Sequence, residues 1–315
     1  MFKKVYNFFN FEEEEEDKKV KFIYRPKTFS EYIGQKNVKR ILENYIRGIN
    51  ERELVFPHTI IHGPPGFGKT TLAKIIANEL QVNWTENIAS QMKEIDKVLA
   101  AINSLDGGLL FLDEIHSMSR EEVERLYPIM EDFQFGGTAL EPFTLVGATT
   151  ELGEILKNRR PFYDRFKIIL ELEDYTLIDL IKMGSQYKSR MFPNDGLNSS
   201  NYRILAENCR GTPRTLIRLL EATIYFRGDI DEVLKCFGIL YKGFTLKDLK
   251  VLKYLANEKI VGLQGLASYL GTSTENYLYE IEPYLVKNGL ISRTPRGRRI
   301  TEIGVKLAKE LDEMR

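Results

Sequence analysis

The chain has 315 residues, of which 43% are hydrophobic and 29% charged, a composition typical of globular proteins with two or three domains. Lys and Arg together number 45, as do Asp and Glu, so no net charge draws the whole molecule to nucleic acid or to a membrane. No apolar run reaches the roughly 18 residues of a membrane span. Two isolated cysteines, Cys209 and Cys236, indicate a reducing, cytoplasmic location without a structural disulfide.

The first 20 residues form a charged segment that contains the acidic run Glu12–Asp17. A charged segment of low complexity is expected to be a flexible tail, and a specific docking segment is the alternative. Regular structure is predicted to begin near Phe22.

Short apolar runs that end in turn signals alternate with helical patterns up to about residue 173. The predicted strands are Thr59–His62, Leu109–Leu112, Phe143–Val146 and Ile168–Leu172. The predicted helices are Lys36–Ile49, Thr70–Leu80 and Glu94–Ser104. Buried strands that alternate with helices predict an α/β domain, a parallel sheet with flanking helices on both faces.

The strand pattern stops after Leu172, and a small helical domain is predicted over residues 174–242. Its expected helices are Leu177–Met191, Tyr202–Asn208, Pro213–Phe226 and Ile230–Leu240. From residue 243 to 315, three helices, the last at Thr274–Asn288, precede two strands, Leu290–Arg293 and Arg298–Thr301. This order is typical of a winged helix, and a generic three-helix interaction domain is the alternative.

Residues 63–70 read GPPGFGKT and match G-x-x-x-x-G-K-[ST] between a predicted strand and a predicted helix. Glycines such as Gly66 and Gly68 let backbone N–H groups surround a phosphate, and the helix N-terminus adds its positive dipole end. Lys69 is expected to reach the β- and γ-phosphates and the Thr70 hydroxyl to bind Mg²⁺, with Thr71 next in the helix. The motif predicts ATP and Mg²⁺ as cofactors.

Asp113 and Glu114 directly follow the second predicted strand. Asp113 is expected to hold the metal, and Glu114 to act as the general base on the attacking water. A helix N-cap is the alternative interpretation of such a pair. A hydroxyl at the end of the next strand, near Thr150, would hold the water in line with the γ-phosphate. His116 is assigned no chemistry.

Eight segments occur in an order that resembles the RuvB family, AAA+ motors that drive branch migration of Holliday junctions in bacterial recombination. They read YRPKTFSEYIGQ, HGPPGFGKTTLAKIIANEL, LLFLDEIH, LYPIMEDF, FTLVGATT, DRF, RGTPR and EPYLVKNGLISRTPRGR, and the resemblance covers residues 21–301. It implies an AAA+ P-loop ATPase domain at residues 21–173, followed by the small helical lid domain and the winged helix.

The resemblance also implies roles for particular side chains. The expected adenosine pocket consists of Tyr24, Arg25, Tyr32 and Ile33. The MEDF residues expected near the nucleotide are Glu131, Asp132 and Phe133. The residues expected to sense nucleotide or contact the base are Thr150 (sensor 1), Tyr175 (base contact) and Arg214 (sensor 2). Arg165 is similar to the arginine finger that reaches the γ-phosphate of the neighbouring subunit.

Five basic residues and no acid lie between Lys287 and Arg299. Basic side chains on a β-ribbon suit contact with DNA phosphates without sequence readout, and a solubilising basic edge strand is the alternative. Arg293, Arg296 and Arg298 are the predicted DNA-binding residues, and the resemblance points to Arg293 and Arg298.

Two segments depart from the family pattern. Only Gln134–Pro142 lie where the family has a long β-hairpin that docks RuvA, which leaves room for a stub that turns at Gly136-Gly137. A RuvA-type adaptor is therefore doubtful. The segment before Arg165 is longer and more basic than expected, and Arg159 or Arg160 is an alternative arginine finger.

The function predicted from these features is a ring motor, with a hexamer expected, that uses ATP to move duplex DNA or four-way junctions. A loader or remodeller switched by ATP, and a winged-helix regulator whose ATPase controls oligomerisation, are the rival hypotheses.

Overall fold

The computed structural model describes residues 24–313, so the predicted tail at residues 1–20 lies outside the described part. A five-stranded, fully parallel sheet with the order β2-β3-β6-β1-β7 forms the centre of the first domain. Its strands are β1 (Thr59–His62), β2 (Trp84–Ile88), β3 (Leu109–Asp113), β6 (Thr144–Thr149) and β7 (Ile168–Glu171). The parallel sheet is as predicted, although β2 was missed because its residues are only partly buried and show no apolar run.

Helices cover both faces of this sheet. They are α1 (Lys36–Asn50), α2 (Lys69–Leu80), α3 (Ile95–Asn103), α4 (Arg120–Asp132), α5 (Leu152–Asn158) and α6 (Arg160–Tyr163). Ile61 and Phe111 pack with α1 and α2 in one core, whereas their neighbours Ile60 and Leu112 pack with α3 to α6 in another. Strands buried on both faces explain the continuous apolar runs of the sequence.

A short hairpin lies between α4 and β6. Its strands are β4 (Gln134–Phe135) and β5 (Thr138–Ala139), joined at Gly136 and Gly137, which both have positive φ. This hairpin is the stub that was predicted to turn at Gly136-Gly137, and each of its strands has two residues.

The small helical domain packs on the core that contains α1 and α2. Its helices are α7 (Leu177–Met191), α8 (Ser199–Asn208), α9 (Pro213–Tyr225) and α10 (Ile230–Cys236). The last predicted helix, Ile230–Leu240, was too long, because α10 ends at Cys236. Gly238 follows with φ of 65°, and β8 (Ile239–Tyr241) then pairs with β9 (Phe244–Thr245).

The C-terminal domain is a winged helix with its own core. Its elements are α11 (Leu246–Glu258), β10 (Ile260–Val261), α12 (Leu263–Leu270), α13 (Thr274–Asn276), α14 (Glu282–Lys287), β11 (Ile291–Thr294), β12 (Gly297–Ile300) and α15 (Glu302–Glu313). The predicted third helix is interrupted by a π-helical segment, Tyr277–Ile281, because Pro283 has no N–H to donate. Gly289 follows this helix with φ of 67° and ends it.

Strand β10 and helix α15 were not predicted. Strand β10 pairs with β12, so the wing is the outer part of a three-stranded sheet in the order β10-β12-β11. Across residues 24–313, we find no helix with the length and apolar character needed to cross a membrane.

Candidate nucleotide site and DNA-contacting wing

A cleft of about 490 Å³ opens between the first domain and the small helical domain. A cavity of this size suits a small molecule or cofactor. Predicted residues from five separate parts of the chain line it: Tyr24, Arg25, Tyr32, Ile33, Gly66, Gly68, Lys69, Thr70, Thr71, Asp113, Glu114, Tyr175 and Arg214. The phosphate loop, the Asp113–Glu114 pair and Tyr175 meet because the carboxyl ends of parallel strands share one edge of the sheet.

The phosphate loop runs from the end of β1 to the start of α2. Gly66 and Gly68 have φ of 78° and 93°. A Cβ on Gly66 would lie 2.9 Å from a methyl carbon of Thr212, and one on Gly68 would lie 3.1 Å from the Tyr32 hydroxyl. Both the backbone conformation and the close packing therefore require glycine here.

Lys69 begins α2, and its side chain crosses the loop. The Lys69 ammonium donates hydrogen bonds to the carbonyl oxygens of Gly63 at 2.8 Å and Pro64 at 3.1 Å. Burial lowers the pKa of Lys69, the nearby Glu114 and Asp113 carboxylates oppose that shift, and Arg214 adds to it. Two cationic side chains thus face the cleft where the motif places the phosphates.

The acidic pair lies at the end of β3. Asp113 Oδ1 accepts a hydrogen bond from the Glu114 N–H at 3.0 Å. The Glu114 carboxylate lies 3.5 Å from the Thr150 hydroxyl and 3.3 Å from His116 Nδ1. The carboxylate of Glu114 is thereby flanked by two polar groups, as a base that must orient one water molecule requires.

His116 is a site residue that sequence reasoning missed. Its Nδ1 also lies 3.0 Å from the Thr149 hydroxyl at the end of β6, so the ring connects two strand ends beside Glu114. The signal was its two-residue offset from Glu114, which a single turn of 3₁₀-helix converts into contact.

The oxygen atoms in the cleft fit a magnesium–nucleotide complex. The Thr70 hydroxyl and the Asp113 carboxylate line the same cleft. Within residues 24–313 there is no cluster of three or more His, Cys, Asp or Glu side chains suited to a metal ion. The pair of Thr70 and Asp113 fits Mg²⁺, which usually takes one or two protein ligands and completes its shell with phosphate oxygens and water.

Two tyrosines connect the first domain to the small helical domain. The Tyr175 hydroxyl donates to the Phe67 carbonyl at 2.8 Å and lies 3.3 Å from the Tyr32 hydroxyl. Burial raises the pKa of both tyrosines, so both stay neutral. The buried Tyr24 hydroxyl has no hydrogen-bond partner among the described residues, which suits a site completed by a polar ligand.

Residues of α7 and α9 complete the cleft and were also missed. They are Met183, Gln186, Tyr187, Ile217, Arg218 and Glu221. Tyr187 donates a hydrogen bond to Glu221, which with burial raises the pKa of Tyr187. Their spacing of three or four residues from one another, and from Arg214, was the available signal.

The MEDF residues Glu131, Asp132 and Phe133, which were expected near the nucleotide, do not line the cleft of their own chain. Helix α4 lies on the opposite face of the sheet from α2, and its C-terminus leads away from the phosphate loop. The Phe133 ring packs against His58 and Phe143, with ring centres 6.2 and 5.8 Å apart.

Arg165 lies with Glu131 rather than in the cleft of its own chain. Its Nη2 is 3.1 Å from Glu131 Oε1, its Nη1 donates to the Pro161 carbonyl at 2.6 Å, and its guanidinium lies 3.7 Å from the centre of the Tyr127 ring. Its Nε is buried without a partner among the described residues. Arg165 therefore lies outside the cleft of its own chain.

The two alternative finger arginines also have partners. Arg159 Nη1 donates to the His116 carbonyl at 2.8 Å, which places it beside Glu114 of its own chain. Arg160 Nε forms an exposed ion pair with Asp164 at 3.0 Å.

The wing brings the predicted DNA-binding arginines together, with an unpredicted acid between two of them. Arg293 and Arg298 face each other across β11 and β12, and both donate to the fully buried Glu282, from Nε at 3.1 and 2.8 Å. The Arg298 side chain is only 16% exposed, against 58% for Arg293. Arg296 and Arg299 are exposed, and neither forms an ion pair within residues 24–313.

The third helix of the winged helix carries exposed acids, Glu275 and Glu280, beside Tyr279, which is 72% exposed. Carboxylates repel DNA phosphates. The charge of the wing therefore suits DNA better than that of this helix.

Comparison with known proteins matches two parts of the chain to family domains. The Holliday junction DNA helicase RuvB P-loop domain matches residues 24–172, and the RuvB C-terminal winged helix domain matches residues 241–309. The chain is 38% identical over 312 residues to the Holliday junction branch migration complex subunit RuvB of Phytoplasma mali, covering 90% of this chain and 92% of the relative. The same subunit of Thermotoga maritima is 37% identical over 319 residues, covering 93% and 94%.

Solved structures agree with these matches. The Thermotoga maritima RuvB Holliday junction branch migration motor aligns with a TM-score of 0.78 at 36% identity, over 90% of this chain and 98% of that one. The Aeropyrum pernix ORC2 protein, at 14% identity and a TM-score of 0.55, shares the fold alone. With the P-loop domain and the winged helix matched in order, at this identity and coverage, the chain belongs to the RuvB family.

Proposed function

We propose that this protein is an ATP-driven motor that moves duplex DNA and drives branch migration of Holliday junctions. The observation that carries the proposal is the cleft in which the phosphate loop, Asp113, Glu114 and Arg214 meet, in a chain that also has a winged helix with outward-facing arginines. Family membership supports the same reaction, since the relatives named above are branch migration subunits.

In the proposed reaction, Glu114 accepts the proton of the water that attacks the γ-phosphate, and Thr150 and His116 hold the carboxylate in position. Lys69 and Arg214 stabilise the charge on the transferring phosphoryl group. Thr70 and Asp113 would hold Mg²⁺, which would neutralise charge on the phosphates.

Arg165 is proposed to act on the nucleotide of a neighbouring subunit, because its own cleft is out of reach. It would exchange its contact with Glu131 for the γ-phosphate, so hydrolysis would depend on assembly of a ring, with six subunits expected. Glu131, Asp132 and Phe133 would then lie at the interface between subunits.

The wing is proposed to contact the phosphate backbone through Arg296, Arg299 and the exposed part of Arg293, without reading sequence. The two-residue strands of the β4–β5 hairpin offer little surface for a RuvA-type adaptor, so we infer that this protein loads on DNA alone or through a different contact. The proposed location is the cytoplasm.

The test is steady-state ATP hydrolysis by the full chain without DNA, with linear duplex and with a four-way junction. Strong stimulation by DNA, with migration of the junction, is the expected result. One slow turnover per assembly, without migration, would replace the motor with a switch-like loader. Binding restricted to one DNA sequence would instead favour a regulator.

A further inference from the structure

The segment Arg210–Arg214 connects the nucleotide cleft to the winged helix within five residues. At one end, Arg214 lines the cleft, and a Cβ on Gly66 would lie 3.0 Å from Arg214 Cβ, so this end packs directly on the phosphate loop. At the other end, the side chain of Arg210 extends from the small helical domain to the C-terminal domain.

The Arg210 guanidinium makes several contacts across that boundary. Its Nε donates to the Gly243 carbonyl at 2.8 Å, and its Nη1 to the Glu280 carbonyl at 3.3 Å, within the π-helical segment. Its Nη2 pairs with Asp248, and its plane lies 4.7 Å from the centre of the Tyr284 ring. One side chain thus touches the β8–β9 turn, α11 and the third helix of the winged helix.

The ion pair with Asp248 is the contact of Arg210 that is most costly to break. The Asp248 side chain is fully buried, and it forms the capping box of α11 with Thr245. Burial raises the pKa of Asp248, whereas the positive charge of Arg210 opposes the shift. Loss of the guanidinium would leave a buried carboxylate without its counter-charge, which is strongly unfavourable.

A second ion pair between the winged helix and the rest of the chain offers a comparison. Lys287 Nζ lies 2.5 Å from Asp174 Oδ1, just before α7, but both side chains are more than half exposed. Exposed pairs contribute little stability. Arg210 therefore provides the rigid connection, and Lys287 is its control.

We propose that Arg210 is a positioning residue that fixes the winged helix to the segment carrying Arg214, so that nucleotide-dependent movement of that segment moves the DNA-contacting wing. The role in DNA movement rests on the proposed function, whereas the rigid connection itself does not. Helix α9 begins at Pro213, so Arg214 lies in its first turn, only four residues after Arg210.

The direct test measures the distance between spin labels on the exposed Cys236 and on a cysteine introduced by Lys306→Cys, in the full chain. The labelled chain that retains Arg210 should give one narrow distance distribution, and the Arg210→Ala variant should give a broad one. Lys287→Ala should leave it narrow. Arg210→Lys, which keeps a positive charge near Asp248 and protects folding, should give an intermediate width.

The functional test compares basal and DNA-stimulated ATP hydrolysis. Arg210→Ala should keep the basal rate and ATP binding, but stimulation by duplex DNA should fall by about fivefold or more, the usual size of coupling between two sites. Lys287→Ala should retain stimulation.

Three outcomes would overturn the inference: a distance distribution that stays narrow in both Arg210 variants, equal broadening by Lys287→Ala, or full DNA stimulation in Arg210→Ala. An unchanged protein that DNA does not stimulate would refute the proposed motor alone, because the distance measurement would still decide the role of Arg210.

Discussion

Glu282 and Arg298 form a buried ion pair, in which Arg298 Nε and Nη2 lie 2.8 and 3.2 Å from the two carboxylate oxygens. Glu282 has no exposed surface, and Arg293 donates to the same carboxylate. Two arginines that the sequence presents as equivalent DNA contacts are therefore also structural partners of one acid. Glu282 therefore neutralises part of the positive charge of Arg293 and Arg298, whereas the side chains of Arg296 and Arg299 are exposed and have no such partner among the described residues.

Arg298→Ala is expected to destabilise the winged helix. It removes the better-buried partner of Glu282, and breaking a buried ion pair by deleting one side costs about 3 kcal/mol. Thermal unfolding of the full chain should show the loss. The double variant Arg298→Ala with Glu282→Gln should recover part of it, and an unchanged melting temperature in Arg298→Ala would contradict the structural role.

Arg296→Ala and Arg299→Ala are expected to weaken DNA binding without affecting stability. Each loses one phosphate contact, so the slope of log K against log salt should fall by about 1. Affinity should drop equally on unrelated duplexes, measured by fluorescence anisotropy. Lys306→Ala, an exposed basic residue on α15, is the control. Loss on only one sequence would argue against backbone contact.

Lys69→Ala is expected to abolish ATP binding or turnover, because it removes the ammonium that the phosphate loop surrounds. Lys74→Ala changes a lysine of the same helix that lies over Trp84 and should retain both activities. Binding of a fluorescent ATP analogue and steady-state hydrolysis are the measurements. Normal turnover in Lys69→Ala would refute the assignment of the loop.

Arg165→Ala is expected to bind ATP and fail to hydrolyse it. Mixed with Glu114→Gln subunits, it should regain some activity, because interfaces then form in which an intact Arg165 faces an intact Glu114. Hydrolysis across mixing ratios tests this. Full activity of Arg165→Ala alone, with loss in Arg159→Ala or Arg160→Ala, would move the finger role to that residue.

The buried His58 is expected to make the folded protein less stable in mild acid. Its Nδ1 accepts the Leu145 N–H at 2.9 Å, so Nε2 carries the proton and donates to the Met130 carbonyl at 3.0 Å. Burial lowers the pKa of His58 below its ordinary value of 6.5. The unfolded chain then takes up the proton first, so the contribution of the neutral ring is complete above about pH 6.5 and is lost as the pH falls toward the folded pKa.

The measurement is the melting temperature over this range for the native chain and for His58→Gln, which keeps one donor and one acceptor. The native chain should lose more stability on acidification, by up to about 1.4 kcal/mol per pH unit. Parallel curves for the two proteins would show that His58 does not titrate on unfolding.

Much of the fold and the cleft was predictable because it depends on local pattern. The phosphate loop needs Gly66 and Gly68 in the left-handed region and a strand before a helix, and all of these are readable along the chain. The ends of helices such as Gly289 follow the same logic. Strand β2 and the π-helical segment escaped because their pattern is weak or is broken by one proline.

By itself, the sequence determined the residues of the phosphate loop, the acidic strand end and the basic wing, because short-range spacing encodes each of them. Only the tertiary structure decided what those residues contact: Glu282 beneath the wing, Glu131 beside Arg165 rather than at the nucleotide, and Arg210 across a domain boundary. Such contacts join residues distant in the chain. Their energies depend on burial and on the position of the opposite charge, which no spacing along the sequence specifies.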